Sequence, residues 1–168
     1  MIPYLQAENL TKRYGGLLLF ENISFTITKD RKVALIARNG AGKSSLFDLL
    51  AGKDVPDGGR ITWTNDVRVG YLEQSPRLES GHTVWEEIFT ADSEKLRVVK
   101  EYELALLHHD QAEIGRLMEE MEHLGAWDAE NEVKQILTRL KINDLEARVG
   151  ELSGGQKKRL GLAKVLIS

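Results

Sequence analysis

The sequence predicts an α/β fold in two unlike parts: a β-rich first part with one amphipathic helix, then an all-helical second part. Three observations carry this. Short alternating or continuous apolar runs, separated by glycine turns, fill the chain to about residue 75. From Thr83 to Ile142 there is no proline, and Leu, Glu and Lys recur at helical spacing. Between an apolar strand and a helix lies a glycine-rich turn, Asn39-Gly40-Ala41-Gly42.

Tyr4 to Leu10 reads as a strand leading to a turn at Tyr14-Gly15-Gly16. Ile23 to Thr28 alternates apolar and polar residues and predicts a half-buried strand. Val33-Ala34-Leu35-Ile36-Ala37 is a continuous apolar run, as expected of a strand buried on both faces. Lys43 to Leu50 carries Leu46, Phe47, Leu49 and Leu50 and predicts a helix with one apolar side, ending near Gly52. Pro56-Asp57-Gly58-Gly59 is a turn, followed by strand candidates at Arg60 to Thr64 and Val67 to Leu72. After Pro76 the spacing predicts three or four helices, broken near Asp92, His109-Asp110 and Gly125. The expected organisation is a β-rich part over 1–75, a helical part with a hairpin over 76–150, and a last helix over 151–168.

Composition narrows the function classes. The 168 residues suffice for one domain, and 42% hydrophobic with 29% charged residues fits a soluble globular protein. A net charge of −3 gives no general basis for nucleic-acid binding. Without cysteine, disulfides and thiolate-ligated zinc are excluded. Leu17 to Phe20 is too short a run for a signal-peptide core or a membrane span, so a cytoplasmic location is expected. The histidines at 82, 108, 109 and 123 show no metal-ligand spacing.

Gly40-Ala41-Gly42-Lys43-Ser44-Ser45 has the chemistry of a phosphate loop. Backbone amides must approach an anion closely, which glycine permits, and the following helix N-terminus adds a positive dipole end. Lys43 would reach the β- and γ-phosphates, and the Ser44 hydroxyl would ligate Mg²⁺. The full pattern begins with glycine where this chain has Ala37. If that position needs positive φ, alanine costs about 1 kcal/mol or more; if it is β-like, as its place at the end of an apolar run suggests, alanine is harmless. The plain alternative is a strand-to-helix turn that binds nothing.

Leu152-Ser153-Gly154-Gly155-Gln156 precedes a helix-forming run, with Ser153 placed as its N-cap and Leu160, Ala163 and Ile167 on one face. Alone, this reads as an ordinary capped helix. With the phosphate loop about 110 residues upstream, it resembles the signature segment of the ATP-binding cassette (ABC) family, and the resemblance covers nearly the whole chain. The resemblance implies a P-loop NTPase cassette with ATP and Mg²⁺ as ligands. In that family two cassettes face each other, so Ser153, Gly154, Gly155 and Gln156 would contact nucleotide held by the phosphate loop of a second cassette. Tyr14 matches the aromatic residue that stacks on adenine, and Asn39 to Ser45 would surround the phosphates. Gln74, in Val69-Gly70-Tyr71-Leu72-Glu73-Gln74, matches the glutamine that reaches Mg²⁺ and the attacking water. Lys43 and Gln74 are therefore the expected catalytic residues, and Ser44 and Gln74 the expected metal contacts.

Gly70 to Gln74, the tail Gln156 to Ala163, and the 77 residues between Gln74 and Leu152 are similar to the ABC-F branch, many of whose members act on the ribosome. That branch carries a helical hairpin in this region. Here, however, residues 110–132 hold eight acidic residues against Arg116, a poor surface for RNA phosphates. A short solvated or protein-facing hairpin is expected instead. The alternatives are an ATP-binding subunit of a membrane transporter and a non-hydrolytic nucleotide-binding module. In the family, an Mg²⁺-coordinating Asp, a catalytic Glu and a switch His follow the signature, and none lies in a chain reaching only twelve residues beyond Gln156. The 168 residues alone are thus expected to bind ATP with negligible hydrolysis, to have an incomplete core sheet, and, with an unpaired apolar strand edge, either to self-associate or to be only marginally stable.

Overall fold

The computed structural model describes residues 2–168, which divide into two compact units, one running to Val69 and the other Gly70–Ser168. The first unit is built on a three-stranded antiparallel sheet in the order β2-β1-β3, from β1 (Pro3–Tyr14), β2 (Leu17–Thr28) and β3 (Gly58–Trp63). β1 turns into β2 at Gly15-Gly16, as the sequence predicts, but both strands are longer than their apolar patterns.

A bulge explains part of that extension. Asn9 has φ 50°, the register shifts between Ala7 and Leu10, and the Asn9 amide donates to Ser24 Oγ at 2.8 Å. The extra residue flips the face parity, so Leu5, Ala7, Leu10 and Lys12 all point inward although their spacing is not strictly two. Helix α1 (Lys43–Leu50) buries Leu46 and Leu49. Leu46 packs in a small core with Ala7 and Leu10, bordered by Phe20, Ile23, Phe25, Leu50 and Ile61.

Two predicted strands are absent. Val33 to Ala37 is irregular and exposed throughout, with Ile36 92% accessible. Apolar content alone does not make a strand: backbone donors and acceptors need a neighbouring ladder, and among the described residues none pairs with this run. Val67 to Leu72 is likewise irregular and is not a strand of the sheet.

The second unit is helical: α2 (Val84–Ile88), α3 (Glu94–Leu107), α4 (Gln111–Leu124), α5 (Ala129–Arg139), a 3-10 turn (Val149–Glu151) and α6 (Gly154–Ile167). The breaks fall where the sequence places them. Asp110 caps α4 by accepting from the Glu113 amide, and Gly125 ends α4 in the left-handed region. Val84, Ile88, Leu96, Val98, Leu117, Val133, Leu137, Leu160 and Ala163 form one core. α3 and α4 pack together, and their acidic surface is tied by Arg97 to Glu101 and Glu120 and by Arg116 to Glu113 and Glu120. No described helix is long and apolar enough to cross a membrane.

Candidate nucleotide site

The Gly40-to-Ser45 loop is set by its backbone. Gly40 and Gly42 have φ near +81° and +82°, the left-handed region that glycine enters without strain. Gly42 is also the N-cap of α1. A Ser or Asp cap would place a side-chain oxygen on the first-turn amides. Glycine has none, and no acidic residue lies in the first turn, so no side chain caps the N-terminal amides of α1. A Cβ on Gly42 would stand 3.0 Å from Leu19 Cβ and 3.1 Å from Phe20 Cδ1, so the loop is seated against the start of β2.

Lys43 curls back over this loop. Its ammonium donates to the carbonyls of Ala37 at 2.8 Å and Arg38 at 2.9 Å. Ala37 is not among the positive-φ residues, so alanine fits there without strain. Ser44 is exposed and Ser45 half-buried on the first turn of α1, while Asn39 and Ala41 lie in the exposed turn before it. Tyr14 ends β1 with its ring 77% accessible and pairs with Leu17, two residues before the Leu19 that abuts Gly42. Tyr14 and residues 39–45 therefore belong to one unit. Gln74 and the Ser153-to-Gln156 segment belong to the other.

The second unit has its own arrangement. Ser153 is the N-cap of α6 in a complete capping box. Its Oγ accepts from the Gln156 amide at 3.3 Å, while Gln156 Oε1 accepts from the Ser153 amide at 2.8 Å and from the Ser153 hydroxyl at 2.7 Å. Gly154 and Gly155 face open space. The segment carrying Gln74 lies along this helix: Pro76 and Leu72 press on Gly161, and Gly70 lies against Val165. Gln74 itself sits on an exposed bend rather than just after a strand, because Val67 to Leu72 is not one.

The sequence reading missed a polar cluster beneath α6. Glu87 is 1% exposed. Its Oε1 accepts from Lys164 Nζ, and its Oε2 accepts from the Glu79 amide at 3.1 Å and contacts His82 Nδ1 at 3.0 Å. Lys164 also donates to Thr90 Oγ1 at 2.7 Å. Burial alone would push the Glu87 carboxyl up. The hydrogen bonds from Lys164, His82 and Glu79 outweigh it and hold the group below the usual carboxylate range. The available signal was an acid among Val84, Ile88 and the other apolar positions of a short helix, where only a paired acid is tolerated.

A glycine-capped phosphate loop with a reaching lysine, joined in one chain to a capped Leu-Ser-Gly-Gly-Gln helix, defines a nucleotide-binding cassette. Residues 20–168 match the ABC transporter family, and the chain belongs to it. It is 40% identical over 171 residues to the uncharacterized ABC transporter ATP-binding protein YfmR of Bacillus subtilis, covering 97% of this chain and 27% of YfmR. It is 35% identical over 163 residues to the energy-dependent translational throttle protein EttA of Escherichia coli K12, covering 96% of this chain and 24% of EttA. The chain thus spans about a quarter of the length of these relatives. Among solved structures, an ATP-binding subunit of an ABC transporter superposes with a TM-score of 0.64 at 20% identity, over 98% of this chain and 62% of that one. A nucleotide-free ATP-binding cassette from an ABC transporter gives 0.65 at 22% identity, over 99% and 65%. The fold is that of an ABC ATPase cassette, of which the described residues form part.

Proposed function

We propose that this chain is the ATP-binding part of a first cassette in an ABC-F type ATPase whose whole protein hydrolyses ATP and acts on the ribosome in translation. The observation that carries nucleotide binding is the N-terminus of α1, uncapped by any side chain and overhung by Lys43. ATP with Mg²⁺ supplies the transferable γ-phosphoryl group and its charge-neutralising metal. The α1 amides and the loop from Asn39 to Ser45 hold the phosphates, and Lys43 leaves the Ala37 and Arg38 carbonyls for the β- and γ-oxygens. Ser44 offers its hydroxyl to Mg²⁺, and the exposed Tyr14 ring offers a stacking face to adenine.

Ser153, Gly154, Gly155 and Gln156 face the γ-phosphate of a second cassette, and Gln74 serves the metal and the attacking water. A phosphate oxygen would compete with Gln156 Oε1 for the Ser153 hydroxyl. The translational role is supported by the EttA relatives, matched over 96% of this chain. The second reading, an ATP-binding subunit of a membrane transporter, is supported by the similarity to YfmR, an ABC transporter ATP-binding protein.

Calorimetric titration of the chain with ATP and Mg²⁺ tests the site. Loss of the Lys43 ammonium in Lys43→Ala removes charge-assisted hydrogen bonds worth about 1.5–3 kcal/mol, so affinity falls at least about tenfold. Equal affinity in the two proteins overturns the reading. Sedimentation of the full-length protein with ribosomes or with membrane vesicles, in the ATP-bound state, separates the translational role from the transporter role.

A further inference from the structure

We propose that Glu87 is a positioning residue for the signature segment, its buried carboxylate fixing at once the chain that enters Ser153 and the helix that leaves it. The proposal rests on the reading that Ser153 and Gly155 meet nucleotide. On the entering side, Glu87 Oε2 takes the Glu79 amide and His82 Nδ1. That same stretch holds the backbone just before the signature, because Val149 N donates to His82 O at 2.9 Å and Gly150 N to Ser80 O at 3.0 Å. On the leaving side, Glu87 Oε1 takes Lys164, eleven residues beyond Ser153 on α6.

α6 is seated by packing at Leu160, Gly161 and Ala163, with Pro76 and Leu72 against Gly161. Van der Waals packing is not directional, whereas a charge-assisted hydrogen bond has one favourable geometry, so Glu87 adds a fixed point to the helix. Thr90 reinforces it: its hydroxyl accepts from Lys164 and donates to the Glu87 carbonyl at 2.7 Å, so the ammonium is held by two groups of the α2 region. Glu87 itself does not touch nucleotide. It sets where the Ser153 hydroxyl and the Gly154 and Gly155 amides stand.

The test is steady-state ATP hydrolysis by the full-length protein that carries this chain. Binding through the phosphate loop is left alone, so Glu87→Gln lowers kcat on the order of tenfold with KM unchanged. Lys164→Arg keeps the ion pair and is expected to keep kcat. If Glu87→Gln alone folds poorly, the paired Glu87→Gln, Lys164→Met variant removes both charges at similar volume. It is expected to melt normally and show the same kcat loss. A normal kcat in the paired variant overturns the proposal, as does a parallel change of kcat, KM and melting temperature in both variants. Lys43→Ala is run beside them. If it leaves hydrolysis intact, the cassette reading itself fails. If it abolishes hydrolysis while the paired variant keeps kcat, only the role of Glu87 fails.

Discussion

The Lys43 ammonium sits 2.8 Å from the Ala37 carbonyl, closing the phosphate loop on the last residue of the apolar run that precedes it. The bond uses the backbone of residue 37, not its side chain. Ala37 also lacks a positive φ, so glycine there relieves no strain. Ala37→Gly is therefore expected to leave ATP affinity unchanged and to lower stability by about 0.4–1 kcal/mol through the freer unfolded chain. Nucleotide titration and denaturant unfolding of the two proteins check both halves. A clear gain in affinity would show that alanine strains the loop.

Gly42 is the opposite case. At φ +82°, with Leu19 and Phe20 in the space a Cβ would take, Gly42→Ala meets backbone strain and a steric contact together. The left-handed conformation alone costs about 1–2 kcal/mol. If the loop shifts to escape it, the α1 amides lose their aim and affinity falls by about tenfold for each 1.4 kcal/mol. Thermal melting and ATP titration of Gly42→Ala should show both losses, whereas a variant that melts and binds like the parent would contradict the loop geometry.

Val33, Leu35 and Ile36 are exposed apolar side chains in a row. Surface substitutions away from packed features change stability by about 0.5 kcal/mol or less, so Ile36→Lys is expected to melt like the parent. An exposed apolar stretch is also a contact site between copies. Light scattering on the 168-residue chain is expected to show less association in Ile36→Lys. Equal scattering would remove this run as the cause of any self-association.

Much of this was legible from sequence, and the reasons differ by element. α1, the breaks at Asp110 and Gly125, and the Ser153 cap were readable because capping chemistry is local. The left-handed turn at Gly40 and Gly42 was readable because glycine spacing encodes backbone conformation. Val33 to Ala37 was misread because a buried strand is defined by its neighbours, which no local pattern shows. The extension of β1 to Tyr14 was hidden by the Asn9 bulge, which breaks the two-residue period. Glu87 was missed because its partners Glu79, His82 and Lys164 converge only in the folded unit, the last from 77 positions away.

Gly161 makes a packing prediction that tests the seat of the Gln74 segment. A Cβ there would lie 2.5 Å from Pro76 Cγ and 3.2 Å from Leu72 Cδ1. Proline is stiff and cannot swing aside, so Gly161→Ala must push residues 72–76 off α6. Overpacking of this kind costs about 1–3 kcal/mol. Gly155→Ala, where nothing lies within reach of the added methyl, is the control and should melt near the parent value. Equal melting of the two variants would mean that residues 72–76 do not rest on α6.

Glu87 also sets an acid limit on stability. Its folded carboxyl is held below the ordinary glutamate value of about 4.3 by Lys164, His82 and the Glu79 amide, in spite of burial. A depressed folded pKa means that the unfolded chain takes up the proton first. The stabilisation is complete above the unfolded value and is lost as pH falls from about 4.3 through the folded value. Glu87→Gln removes this dependence. It also leaves Lys164 without its charge partner, and breaking a buried pair from one side costs about 3 kcal/mol. Denaturant unfolding between neutral and strongly acidic pH, followed by far-UV circular dichroism, is expected to show the parent losing stability in that window. Glu87→Gln should be weaker at neutral pH but flatter, so that the two curves converge in acid. Asp54, Glu86, Glu113 and Glu120, also held low by their partners, give both proteins a shared slope. The difference between the curves therefore isolates Glu87, and parallel curves would mean that its carboxylate is not held by these partners in solution.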